Sequence, residues 1–149
     1  VGAKIRDLQN PNQKMSKSTD NPKASVFLSD PEKTIRKKIM SAVTDSDGII
    51  KFDEDEKPGV SNLLTIYSVF SGCEIEDAVA KFEGGGYGDL KKAVADAVVE
   101  KVVPFQEKYN EVLASGMIDD ILDAGRDYTN EIAKEKYELV RKAVGFGRV

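Results

Sequence analysis

Apolar residues recur at three- and four-residue intervals through most of the chain, and the first thirty residues depart from that rhythm. Val1 to Leu8 instead shows a short semi-alternating pattern, which predicts a buried strand end. Ala24 to Leu28 is a second apolar run, too brief to assign to either element. From Asp30-Pro31-Glu32 the helical period takes over. Asp at the N-cap, Pro in the first turn and an acid facing the positive end of the dipole predict a helix start. Ile35, Ile39, Ala42 and Val43 then mark its apolar face, while Lys33, Arg36, Lys37 and Lys38 occupy the others. A solvated surface is the plain reading of those four cations.

Val60, Leu63, Leu64, Tyr67 and Phe70 define a second helix that Ser71-Gly72 stops. Ile75, Ala78, Val79 and Phe82 define a compact third. The cluster Gly84-Gly85-Gly86-Tyr87-Gly88 lacks both the dinucleotide fingerprint, since Asp89 stands where Gly is needed, and the Gly-Lys-Ser/Thr end of a P-loop. It predicts a connection between helices. A long amphipathic pattern runs from Leu90 to Val112 through Pro104, which removes one backbone donor and predicts a kink rather than an end. After Ser115-Gly116 a last helix follows. Ile118, Ile121, Leu122, Ile132, Leu139, Val140 and Ala143 form its expected buried stripe. On the same helix Arg126, Asn130, Lys134, Tyr137 and Arg141 fall three or four residues apart, a polar strip able to stack on and bond to unpaired bases. Every amphipathic helix also has a solvent face, so the strip competes with that simpler account.

Composition narrows the chemistry. A length of 149 residues fits one ordinary domain, or a small domain plus a piece of another; a hydrophobic content of 40% supplies a core, and no apolar run approaches the ~20 residues of a membrane span. No signal-peptide pattern opens the chain, and the single Cys73 has no internal partner; both point to a reducing cytoplasm. The absence of histidine removes Ser-His-Asp and Cys-His catalysis and His-ligated zinc. A calcium reading of Asp45-Ser46-Asp47-Gly48 with Glu54 fails because Val43 would stand at the first ligand position, so no metal ligand set is expected. Net charge is −4 but unevenly placed: residues 1–44 carry nine Lys/Arg against four Asp/Glu, and the remainder is acidic. Phosphate affinity is therefore expected in the first third. A start at Val1 suggests part of a longer protein.

That basic third contains Lys14-Met15-Ser16-Lys17-Ser18, with Pro and Asn on both flanks that predict a loop. Two ammonium groups three residues apart can reach one anion together, and Ser16, Ser18 and backbone N–H groups add neutral donors. Met15, polarisable and flexible, suits packing against a flat base. A solvated basic loop is the alternative for the lysines taken alone.

The pentamer is similar, letter for letter, to the lysine-rich signature loop of class I aminoacyl-tRNA synthetases. Thr34-Ile35-Arg36-Lys37-Lys38-Ile39, Ala42-Val43-Thr44-Asp45, Lys57-Pro58-Gly59-Val60-Ser61-Asn62-Leu63-Leu64 and Glu83-Gly84 with Gly86-Tyr87-Gly88 extend the likeness over most of the chain. Together they resemble the carboxyl-terminal part of bacterial-type tryptophanyl-tRNA synthetases; the tyrosyl branch fits the later stretches poorly. The resemblance implies a mainly α fold, with residues 1–28 ending a Rossmann-type α/β catalytic domain and residues 29–149 forming a helical anticodon-binding region. It implies ATP-dependent activation of tryptophan and transfer to its tRNA. Lys14 and Lys17 would hold the triphosphate and stabilise the departing pyrophosphate, with Ser16 and Ser18 donating to phosphate, Met15 near adenine and Mg2+ as phosphate counterion. Arg126, Asn130, Lys134 and Arg141 become candidate tRNA contacts. The tryptophan pocket, the His-containing adenylate motif and the homodimer interface would lie upstream, so the chain alone is expected to be inactive. A stand-alone helical RNA-binding or scaffold module without catalysis is the competing class.

Overall fold

The computed structural model describes residues 4–146, and among them there are five helices and no strand. They are α1 (Glu32–Met40), α2 (Pro58–Ser71), α3 (Ile75–Phe82), α4 (Tyr87–Ala114) and α5 (Met117–Ala143). No helix among the described residues is long and apolar enough to cross a membrane. The mainly α architecture follows the period seen in the sequence. The chain divides into two compact units, Val1–Gln106 and Glu107–Val149.

In the first unit α2 is the central piece. Pro58 occupies its first turn, and Gly72, in the left-handed region at φ 69°, ends it by donating its N–H to Ser68. Val60, Leu63, Leu64, Ile66 and Tyr67 are buried, joined by Ile35 and Ile39 of α1, Ala78 of α3, and Leu90, Val94 and Val98 of α4. Tyr67 and Phe82 meet edge to face at 5.0 Å between ring centres. Gly59 is required by proximity: a Cβ there would lie 2.2 Å from the Val43 carbonyl oxygen.

The expected strand at the start is realised differently. Val1 to Ala3 lie outside the described residues, and Ile5 to Leu8 is an extended segment held in one antiparallel bridge, Arg6 to Lys14. Asp7 donates its N–H to Gln13 and Met15 to Ile5, so residues 5–15 form a small hairpin. The Asp7 carboxylate closes its turn, accepting from the N–H groups of Gln9 (2.7 Å) and Asn10 (3.0 Å). The outer side of the segment pairs with three separate places. Leu8 donates to Ala24 and accepts from Val43, and Arg6 pairs with the Asn62 side chain. Among the described residues no strand pairs with it to make a ladder.

Two expectations about helix details change. Asp30 does not cap α1; Pro31 holds the cap position without a side-chain bond, because the Asp30 carboxylate turns back to Phe27 N–H and the Lys38 ammonium. The apolar stripe of α5 is not buried: Ile118, Ile121, Leu122, Ile132, Leu139 and Val140 are 39–64% exposed, and no residue of α5 is buried. Periodicity shows that a face is apolar and says nothing of what covers it. α4 runs unbroken through Pro104, but its burial ends at Val102, with Phe105, Tyr109 and Leu113 exposed.

Candidate functional site

The five residues Lys14 to Ser18 leave the hairpin just after its last bridge and enter a turn at Lys17-Ser18. Met15 is the anchor. Its N–H is bonded to Ile5, and its side chain packs on the core and lines an apolar cavity of about 210 Å³ with Ile5, Val26, Phe27 and Phe70. With Met15 turned inward, Lys14 and Lys17 are exposed on the outside of the loop. Neither forms an ion pair among the described residues, whereas Arg6, Arg36, Lys38, Lys51, Lys57 and Lys101 of the first unit do. Ser16 and Ser18 hydroxyls lie 3.1 Å apart, and Ser18 N–H points at Ser16 Oγ at 3.4 Å. The arrangement gathers two uncompensated ammonium groups and two hydroxyls on one short exposed turn. Such a set can bind an anion with several oxygens.

The loop rests on polar anchors that sequence reasoning missed. Ser25, only 2% exposed, donates its hydroxyl to the Ser16 carbonyl at 2.7 Å. Lys38 was expected at a surface and is 7% exposed; its ammonium bonds the Ser25 carbonyl (2.9 Å) and Asp30 (2.6 Å) and sits 4.8 Å over the Phe27 ring. Asn62, 4% exposed, accepts from Arg6 N–H at 2.8 Å and donates to Arg6 carbonyl at 2.9 Å, closing the hairpin stem onto α2. The Arg6 guanidinium reaches Glu54 at 3.0 Å.

A third polar cluster joins the start of α2 to the start of α4. Lys57, 8% exposed, bonds Asp45 (3.2 Å) and Asp47 (2.5 Å), and the Tyr87 hydroxyl lies within reach of both carboxylates and of the Ile49 carbonyl. The Lys57 bond, followed by Ile49 N–H, holds the Asp47 carboxyl well below the usual range. Burial would lower the Lys57 ammonium, but bonds to Asp47 and Asp45 outweigh it and raise the group. Burial first, then bonds to the two carboxylates, push the Tyr87 phenol up to about 12. The acidic run once compared with a calcium loop is therefore the counter-charge of a buried lysine.

On α5 the expected tRNA residues divide. Asn130, Lys134 and Tyr137 line one shallow groove with Ala133. Arg126 pairs with Asp123 (2.7 Å) and Asp127 (2.9 Å), and Arg141 with Glu138 (3.5 Å), all on their own helix. These pairs are exposed and exchange readily with solvent or a stronger anion.

Comparison with known families decides what these anchors belong to. A family model described as tRNA synthetases class I (W and Y) matches residues 3–102. The chain belongs to that family. Within it, the similar curated proteins are tryptophan–tRNA ligases: that of Halalkalibacterium halodurans is 50% identical over 148 residues, covering 99% of this chain and 45% of the relative. That of Bacillus anthracis is 51% identical with the same coverage. A crystal structure of tryptophanyl-tRNA synthetase from Mycoplasma pneumoniae superimposes with a TM-score of 0.71 at 32% identity, covering 97% of this chain and 44% of that one. The corresponding structure from Campylobacter jejuni gives 0.70 at 29% identity over 97% and 44%. The chain thus spans less than half the length of the family members it matches.

Proposed function

We propose that this chain supplies the carboxyl-terminal part of a cytoplasmic tryptophan–tRNA ligase, with the ATP- and pyrophosphate-binding lysine loop in residues 1–28 and a tRNA-binding helical region in 29–149. The observation that carries the reading is the pair of exposed lysines, Lys14 and Lys17, without ion pairs on either side of Met15, which is anchored to Ile5 and the core, and of Ser16, whose carbonyl accepts from Ser25. A triphosphate fits that donor set: ammonium and hydroxyl groups dominate the turn. Mg2+ would ride on the phosphate oxygens rather than on side chains of this chain.

In this reading Lys14 and Lys17 hold the triphosphate. Lys17, on the turn itself, meets charge developing on the departing pyrophosphate, so its contribution is larger in the transition state than in ATP binding. Ser16 and Ser18 donate to phosphate oxygens. Met15 lies closest to the core, and contact with adenine requires its side chain to leave the cavity it now lines. Arg126, Asn130, Lys134 and Arg141 face the tRNA, while the tryptophan pocket and the homodimer contacts belong to the part upstream.

The test is a chimera in which residues 1–149 replace the matching segment of a curated relative. It is expected to catalyse tryptophan-dependent exchange of pyrophosphate into ATP, and the 149-residue chain alone is not. Lys17→Ala should lower the activation rate by roughly 100-fold or more while changing ATP KM only a few-fold. Equal activation rates for Lys17→Ala and the parent chimera would remove the catalytic role and favour a helical RNA-binding module without chemistry.

A further inference from the structure

Residues 16–23, which include Lys17, form bonds among themselves: Ser18 to Ser16, Asn21 to Thr19 and Lys23 to Asn21. Local turns of this kind shape a loop without fixing where it lies on the protein. Apart from Ala24 N–H to the Asn21 carbonyl, the one bond among the described residues that joins this segment to a residue outside it runs from Ser25 Oγ to the Ser16 carbonyl at 2.7 Å. The donor is itself immobilised. Ser25 is buried, its carbonyl accepts from Lys38 Nζ at 2.9 Å, and Lys38 is held by Asp30 and the Phe27 ring. An ammonium has three protons, and here two go to oxygens while the charge also lies over an aromatic face. Lys38 therefore has little freedom left, and α1, which carries it, is packed into the core through Ile35 and Ile39.

We propose that Ser25, backed by Lys38, is a positioning residue for Lys17: a latch that places the phosphate-binding turn by gripping the carbonyl one residue before it. The inference rests on the lysine-loop reading and adds to it how the helical region sets the turn's place. The hydroxyl touches no substrate. It acts by narrowing the positions from which the Lys17 ammonium can reach a departing phosphate, and a misplacement of about 1 Å in such a group is enough to slow a reaction strongly. A Ser hydroxyl bonded to a main-chain oxygen also breaks and re-forms more readily than a packed apolar contact. The turn can therefore be released and recaptured within a catalytic cycle.

Two measurements test it with Ser25→Ala. In the 149-residue chain, hydrogen exchange followed by mass spectrometry should show faster exchange confined to residues 16–23, with α1 and α2 protected as in the parent. Loss of protection throughout residues 5–106 would make the bond part of the core rather than a latch and overturn the inference, as would unchanged exchange in the turn. In the chimera, Ser25→Ala should lower the activation rate roughly five- to ten-fold with tryptophan KM unchanged, and Ser25→Thr, which keeps the hydroxyl, should recover most of it. In a Lys17→Ala background the same Ser25→Ala change should cost less than about two-fold, because a positioning residue has nothing left to position. An equal fractional loss in both backgrounds overturns the proposal. A Lys17→Ala chimera with full activity would instead overturn the lysine-loop reading, leaving the exchange result to stand by itself.

Discussion

Asn62 offers the sharpest test of how the hairpin is held, because one side chain satisfies both backbone groups of Arg6, at 2.8 and 2.9 Å, across 56 residues of sequence. Asn62→Leu keeps the approximate volume and removes both bonds. Each net hydrogen bond is worth about 1 kcal/mol, and each buried backbone group left without a partner costs about 1–3 kcal/mol. The Arg6 N–H and C=O together therefore lose roughly 2–5 kcal/mol. Greater apolar burial of Leu at this 4% exposed position returns about 1–2 kcal/mol. A net loss of about 2 kcal/mol follows, which for a unit of this size is a shift of roughly 1–2 M in the urea midpoint.

Asn62→Asp separates the two bonds. Its carboxylate still accepts from Arg6 N–H but presents an oxygen to the Arg6 carbonyl, where the parent has a donor at 2.9 Å. Burial and that opposed carbonyl raise the new carboxyl's pKa in the folded state above its unfolded value near 4. A raised folded pKa means that the protonated form, which can donate to the Arg6 carbonyl, stabilises the fold at low pH, and that this contribution disappears as pH rises through the folded pKa. The deficit of Asn62→Asp against the parent should accordingly be small near pH 4 and grow toward pH 7 in urea titrations. Both variants lying within about 0.5 kcal/mol of the parent, or an Asp deficit independent of pH, would refute the two-bond account.

Other perturbations read out other parts of the molecule. Gly59→Ala should destabilise the first unit by roughly 1–3 kcal/mol in thermal melts, since a Cβ 2.2 Å from the Val43 carbonyl must displace backbone and the gain in helix propensity is under about 1 kcal/mol; a stabilised variant would contradict the close approach. The Tyr87 phenol, pushed up to about 12, favours the folded state below its unfolded pKa near 10 and ceases to do so as pH rises through 12. Melting temperature should thus fall between pH 10 and 12, and Tyr87→Phe should remove both part of that fall and one phenolate titrating near 12. On the acid side, the depressed Asp47 carboxyl stabilises the fold above pH about 4, a contribution lost as pH falls through its lower folded pKa. Reversing charge at Arg126 and Arg141 should leave stability within about 1 kcal/mol, because their ion pairs are exposed, yet lower tRNA affinity roughly ten-fold in filter binding; unchanged affinity removes the strip from the interface.

What was legible in the chain tracks the physics of each signal. Apolar period located α1 to α4 and the apolar centre of their packing, because one face of each of these helices meets its neighbours: Ile35, Ile39, Val60, Leu63, Leu64, Leu90 and Val94 are all buried, while Ile66, Ala95 and Val99 are buried off the named stripe and Phe105 and Tyr109 on it are exposed. The same period overreached on α5. The loop chemistry of Lys14 to Ser18 was visible as composition, since two lysines and two serines in five residues need no tertiary information. The supports of that loop were not. Asn62 to Arg6, Lys57 to Asp45 and Asp47, and Ser25 to Ser16 are hydrogen bonds whose partners are set by how the helices pack, and residue identity alone does not announce them. Lys38 is the instructive exception. It stands three residues after Ile35, one before Ile39 and four before Ala42, on the apolar face of its own helix, and a lysine placed there must either expel its ammonium or find acceptors inside. Reading the face before the charge would have marked Lys38 as buried and sent the search to its acceptors, Asp30 and the Ser25 carbonyl, one step from the phosphate-binding turn. The lysines that most affect the proposed chemistry therefore divide by face: two left free to meet an anion, and one taken inside to hold the segment that carries them.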